Sequence, residues 1–141
     1  MNPRLAGAVA VGSALVVVAA WFARRQAPRD ERVVDATLAI QVTRHDAFGA
    51  PSKPTTIRER ANVREVVESI GADALPAGTC PPDYATADVG LLLTGRDVYA
   101  RRNAYLWETT SPSPRVVLVD ETGCRVGVVP DAERLRAALG I

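Results

Sequence analysis

The chain is short of the side chains that most enzymes use for chemistry. It has one histidine, His45, two cysteines, Cys80 and Cys124, and a single lysine, Lys53, against sixteen arginines. Structural zinc takes four ligands at close, paired spacing. His45, Cys80 and Cys124 offer three that lie far apart in sequence, so no metal is expected. There is no Cys-x-x-Cys, the usual arrangement for a dithiol that exchanges electrons. There is no Gly-x-Ser-x-Gly elbow to present a nucleophilic serine either. No cofactor is expected, and no catalytic set can be named.

One sign of charge is also missing in excess. The net charge is +1 overall, and the part from Val33 onward sums to −2, with eleven Arg and one Lys against fourteen acidic residues. A nucleic-acid-binding domain needs a basic face, so nucleic acid is not an expected partner. No fixed-period repeat is present, and the short Ser111-Pro112-Ser113-Pro114 run is the main low-complexity feature outside the N-terminal stretch.

What the chain does have is a charge-free stretch from Leu5 to Ala23, in which Ser13 is the one polar side chain. As a helix it covers about 28 Å at ~1.5 Å per residue, close to a hydrocarbon core of ~30 Å. Trp21 and Phe22 followed by Arg24 and Arg25 is the aromatic-then-basic order of a membrane interface. The expectation is a transmembrane anchor over residues 1–23, in contact with membrane lipid through Leu5 to Ala23, then a juxtamembrane linker over 24–32. The rival is a cleaved signal peptide, with Val18 and Ala20 at the small-residue positions before the cut. Cleavage there leaves bulky Trp21 and Phe22 at the new terminus, which favours retention. No cysteine stands near the site, so lipoprotein processing is excluded.

Orientation is contested by two observations. The flank after the helix carries Arg24, Arg25, Arg29 and Arg32 while the flank before it carries Arg4, which by the positive-inside rule places the domain in the cytoplasm. The two cysteines point the other way, since disulfides persist in oxidising compartments. The expectation adopted is a single-pass membrane protein with an extracytoplasmic domain.

Residues 33–141 are an ordinary length for one domain with one core. Val34, Ala36, Leu38, Ile40 and Val42 alternate with more polar neighbours, which predicts a strand with one face inward. His45 to Pro54 predicts a loop, and Thr55 to Arg60 a short strand pairing back on the first. Asn62, with Glu65 three positions on, resembles a capping box ahead of the stripe Val63, Val66, Val67 and Ile70. Gly71 is placed to end that helix, and Arg64 and Glu68 are spaced to pair along it. Val89 to Leu93 predicts a buried strand. Val98 to Glu108 predicts a longer one with a bulge near Arg102 and Asn103. Val116 to Val119 and Cys124 to Val129 predict a hairpin about an Asp120-Glu121-Thr122-Gly123 turn. Asp131 is placed to cap a last helix, Ala132 to Leu139, which packs inward through Leu135, Ala138 and Leu139. The order of elements predicts an α+β fold, a mostly antiparallel sheet with two helices.

Cys80 precedes the third strand and Cys124 opens the last, positions that an antiparallel sheet can bring together. In an exported domain they are expected to form a disulfide, closing about 43 residues and stabilising by about 3 to 4 kcal/mol. In a cytoplasmic domain they remain two thiols. The tail from Arg115 to Ile141 is similar to the end of thioredoxin-like domains, without the motif that does their chemistry. The stretch Cys80-Pro81-Pro82-Asp83, with the later Gly123-Cys124, resembles a pattern in small, uncharacterised, exported bacterial α+β domains across about Ile57 to Val129. That resemblance implies a Cys80 to Cys124 bridge and no known activity.

Two groups remain as candidates for function. His45 beside Asp46 has the composition of an oriented general base, but adjacent residues at a strand end point to opposite sides, so it is expected to be an exposed loop histidine. Tyr99, Arg101, Tyr105 and Trp107 share a face of one predicted strand unless the bulge intervenes, and such side chains dominate binding hot spots. They form the candidate binding surface, set against the alternative that they are core. The expected function is therefore a membrane-anchored binding or structural accessory module of the cell envelope with a protein partner there. The alternatives are a thiol-redox or other envelope enzyme using Cys80, Cys124 or His45, and a regulatory domain facing the cytoplasm.

Overall fold

The computed structural model describes residues 31–96 and 100–141. The expected anchor Leu5 to Ala23, its interface residues Trp21, Phe22, Arg24 and Arg25, and Tyr99 of the candidate surface lie outside the described residues. Among the described residues, no helix is long and apolar enough to cross a membrane.

From Arg32 onward the chain is an α+β domain built on one antiparallel sheet. Its helices are α1 (Val33–Ala36), α2 (Arg60–Ser69) and α3 (Ala132–Leu139), with a 3-10 turn at Ala72–Ala74. Its strands are β1 (Ala39–Arg44), β2 (Thr55–Ile57), β3 (Ala77–Gly78), β4 (Val89–Thr94), β5 (Arg102–Trp107), β6 (Arg115–Asp120) and β7 (Gly123–Val128). They lie in the order β2-β1-β4-β5-β6-β7-β3, each neighbouring pair antiparallel. Alternation along the strands gives the sheet two faces. Ile40, Val42, Val89, Leu91, Leu93, Ala104, Leu106, Val116 and Leu118 point to one and are buried against Val63, Val66, Ile70, Leu135 and Leu139 of the helices. Each fully buried Leu, Ile or Val there contributes about 1.5 to 3 kcal/mol.

Most predicted elements stand where the pattern put them. The hairpin of β6 and β7 turns through Glu121 and Thr122, with Asp120 opposite Gly123. Asp131 caps α3 by accepting from the Arg134 amide at 3.0 Å, and Gly140 ends it in the left-handed region at φ 68°. Arg64 and Glu68 form the expected pair at 2.9 Å.

Three predictions are corrected. The first strand does not begin at Val34, because Val33 to Ala36 is a helical turn that buries Val33 and Val34 together. Adjacent side chains cannot share one face of a strand. The turn is held from a distance, since the Asp73 carboxylate accepts from the amides of Val33 at 2.6 Å and Val34 at 3.2 Å. Leu38, expected inward, is 40 % exposed.

The capping box is not formed. Helix α2 starts at Arg60 with Glu59 at its N-cap, and Asn62, inside the first turn, donates to Glu59 Oε2 at 3.0 Å. Glu65 is drawn instead to Arg134 of α3, which donates to it from Nε at 2.8 and 2.9 Å and from Nη2. A forked, charge-assisted contact outweighs a single neutral capping bond.

The bulge near Arg102 and Asn103 is also absent. Register between β4 and β5 runs unbroken from Leu93 opposite Arg102 to Val89 opposite Leu106. Arg102 therefore falls on the core side, 8 % exposed, and its Nε and Nη1 find no hydrogen-bond partner.

Candidate functional site

The sheet face turned away from the helices carries a grid set by register. One row across the strands is Gln41, Leu92, Asn103, Val119 and Cys124. The next is Thr43, Gly90, Tyr105, Val117 and Val126. Beyond it Trp107 pairs with Arg115. Directly paired residues on one face have Cβ atoms about 4.5 to 5.5 Å apart, so each row sets its side chains beside one another, with a gap at Gly90.

Half of this face is roofed. Cys80 and Cys124 sit at disulfide distance, their Cα atoms 5.2 Å apart, and this link draws the segment 79–88 over β6 and β7. Asp83 Oδ1 accepts from the Ala85 amide at 2.8 Å, turning the chain so that Tyr84 comes down onto the sheet. Its ring stacks on Tyr105 with centroids 4.4 Å apart, and its hydroxyl lies 3.4 Å from Cys124 Sγ. Thr86 accepts from Trp107 Nε1 at 3.0 Å, while Asp88 accepts from the Thr109 amide at 3.0 Å. Ala87, Trp107, Val117 and Cys124 make a second small core under this roof.

At the rim of the roof lies a cleft of about 360 Å³, whose walls include Pro81, Pro82, Trp107, Arg115, Val117 and Val126. The Arg115 guanidinium stands over the Trp107 ring, 5.4 Å from its centroid. The segment 79–88 does not cover the other half of the face. There a depression of about 220 Å³ is lined by Gln41, Thr43, His45, Gly90, Asn103 and Tyr105, among others.

The residues singled out from sequence are distributed unevenly. Tyr105 and Trp107 share this outer face, but Trp107 is 7 % exposed and closes the second core. It packs under the segment 79–88. Arg101 is exposed just before β5 and is not part of the strand. Cys124 is buried and Cys80 exposed. His45 is half-buried, not an open loop residue, and its Nδ1 has no hydrogen-bond partner. Asp46 does not orient it, because the Asp46 carboxylate accepts from the amides of Phe48 and Ala50, each at 2.9 Å. Among the described residues, no three His, Cys, Asp or Glu side chains are grouped to hold a metal ion.

The perturbed carboxylates lie elsewhere. Hydrogen bonds from Arg134 hold Glu65 and Glu68 below the usual carboxylate range, with Arg64 adding to the effect on Glu68. Asp120, although partial burial opposes it, is kept low by the hydroxyl and amide of Thr122 in the hairpin turn. These are structural pairs on the helix side and at a turn.

The sequence reading missed Tyr84, Gly90, Gln41, Thr43 and Asn103. Gly90 left a usable signal, since a glycine inside an apolar strand run marks a place where something else approaches the backbone. Tyr84 left none, because it lies in a segment without periodicity and is positioned by a link between distant cysteines.

No protein-family model matches the chain, and neither a curated protein nor a solved structure matches it.

Proposed function

We propose that the chain is a membrane-anchored binding or structural accessory module of the cell envelope, held to lipid through Leu5 to Ala23 with its domain on the oxidising side. The observation that carries this is the Cys80–Cys124 link, with Cα atoms 5.2 Å apart, which draws a whole segment over one half of an outer face. Links of this kind persist where thiols are not kept reduced. The other half of that face, beside Tyr105, is the surface offered to a partner.

The test is labelling of Cys80 and Cys124 in intact cells with an impermeant maleimide, before and after reduction, read by gel shift against the full-length mass. Labelling that appears only after an impermeant reductant supports the reading. Labelling that needs lysis but no reductant overturns it and favours a domain facing the cytoplasm.

A thiol-exchange reading has one observation on its side, the exposure of Cys80 beside a buried Cys124. Attack by an external thiol on this link is then expected at Cys80 rather than at Cys124. That reading predicts a mixed disulfide at Cys80 under mild native conditions, whereas a purely structural link stays silent.

A further inference from the structure

Gly90 is the centre of the half of the outer face that the segment 79–88 does not cover. It stands between Thr43 on β1 and Tyr105 on β5, and the row beside it places Gln41, Leu92 and Asn103 in line. A Cβ built on Gly90 meets only the Thr43 carbonyl oxygen, at 4.0 Å. Among the described residues no side chain fills the space above this position, which is held by a residue that weakens a strand interior.

The groups around that space, besides Leu91 and Leu92, are polar. Amides at Gln41 and Asn103, a hydroxyl at Thr43, an imidazole at His45 and the phenol of Tyr105 all line one depression. Among the described residues that line it there is no Asp, Glu, Lys or Arg. His45 lines the depression as a half-buried side chain.

This chemistry selects an occupant. A charged ligand finds no opposite charge to offset its desolvation. An extended peptide has no free strand edge to pair with, because β1, β4 and β5 are each hydrogen-bonded on both sides and strand addition needs an open edge. What fits is a neutral molecule dense in hydroxyl or amide groups. We infer that the depression centred on Gly90 is a binding site for a neutral saccharide, with Gln41, Thr43, His45 and Asn103 as its hydrogen-bonding groups and Tyr105 as its aromatic wall. This rests on the binding-module reading and supplies its ligand class.

The test uses the full-length chain, labelled with ¹⁵N and titrated with chitotetraose, maltotetraose and, as the charged control, tetragalacturonate. Saturable shifts at the amides of Thr43, Gly90, Asn103 and Tyr105 with a neutral sugar, and none with the charged one, are the expected result. Gly90→Val fills the space with a residue suited to strands. It is expected to weaken binding at least tenfold while leaving the melting temperature close to wild type. Asn103→Ala is expected to weaken binding in the same direction without altering the fold. Absence of shifts with both neutral sugars at millimolar concentration overturns the proposal, and so does equal binding of the charged control or undiminished binding by Gly90→Val. Because thiol labelling reports the compartment and this titration reports the ligand, failure of one is distinguishable from failure of the other.

Discussion

Tyr84 lies with its ring stacked on Tyr105 and its hydroxyl 3.4 Å from the sulfur of Cys124, so one side chain joins the aromatic row of the sheet to the cysteine link. Stacked aromatic pairs contribute about 0.5 to 1.5 kcal/mol beyond the area they bury. The roof over β6 and β7 and the rim of the Gly90 depression therefore share a fastening. Loosening the link should be felt at Tyr105.

The first prediction follows. Replacing both cysteines, Cys80→Ser with Cys124→Ser, removes a closure spanning 44 positions. It is expected to cost about 4 kcal/mol on loop entropy. Urea denaturation of the two forms measures it. The Tyr105 amide is expected to shift in the variant while amides on the helix side, such as that of Val66, do not.

A second prediction concerns acid. Arg134 holds Glu65 and Glu68 below their ordinary value of 4.5 in the folded state. A carboxylate whose folded value is depressed contributes stability above its unfolded value and loses it as pH falls through the folded one. The gap in melting temperature between wild type and Arg134→Met is expected to be full above pH 4.5 and to close as the pH drops below it. Raising salt at neutral pH should narrow the same gap, since the pair is exposed to solvent. A gap independent of pH would assign the effect to packing of the Arg134 stem.

The third prediction is a stabilising substitution. Arg102 is 8 % exposed on the core side of β5 with Nε and Nη1 unpartnered. Burying polar donors without acceptors costs about 1 to 3 kcal/mol. Arg102→Met keeps much of the packed stem and removes the guanidinium. Its free energy of unfolding in urea is expected to rise by a comparable amount, and a fall would show that the charge is compensated, with Asp120, whose carboxyl Arg102 helps to lower, as the partner.

The fourth concerns a contact no local pattern announces. Asp73 accepts from the amides of Val33 and Val34 and so caps the start of the helical turn α1 in the way an N-cap residue does. Loss of such a cap costs about 0.5 to 2 kcal/mol. Asp73→Ala is expected to lower stability by that much and to raise hydrogen exchange at Val33, Val34 and Thr37 before it does so elsewhere.

Much of the fold was legible in the chain because its signals are local. The alternation through Ile40 and Val42, the hairpin turn at Asp120 to Gly123, the apolar stripe of Val63, Val66, Val67 and Ile70, and the capped helix after Asp131 each rest on bonds or burial within a few residues of one another. The α+β class follows from their order.

What only the tertiary structure decided depends on partners far apart in sequence. Asp73 turned Val33 to Ala36 from strand to helix, and Arg134 took Glu65 away from its capping role. The link from Cys80 to Cys124 chose which half of the outer face is covered by Tyr84 and Thr86 and which half, with Gly90 between Thr43 and Tyr105, is not covered by them. Period and capping speak for one element at a time. Which half of the outer face is roofed is settled where distant elements meet.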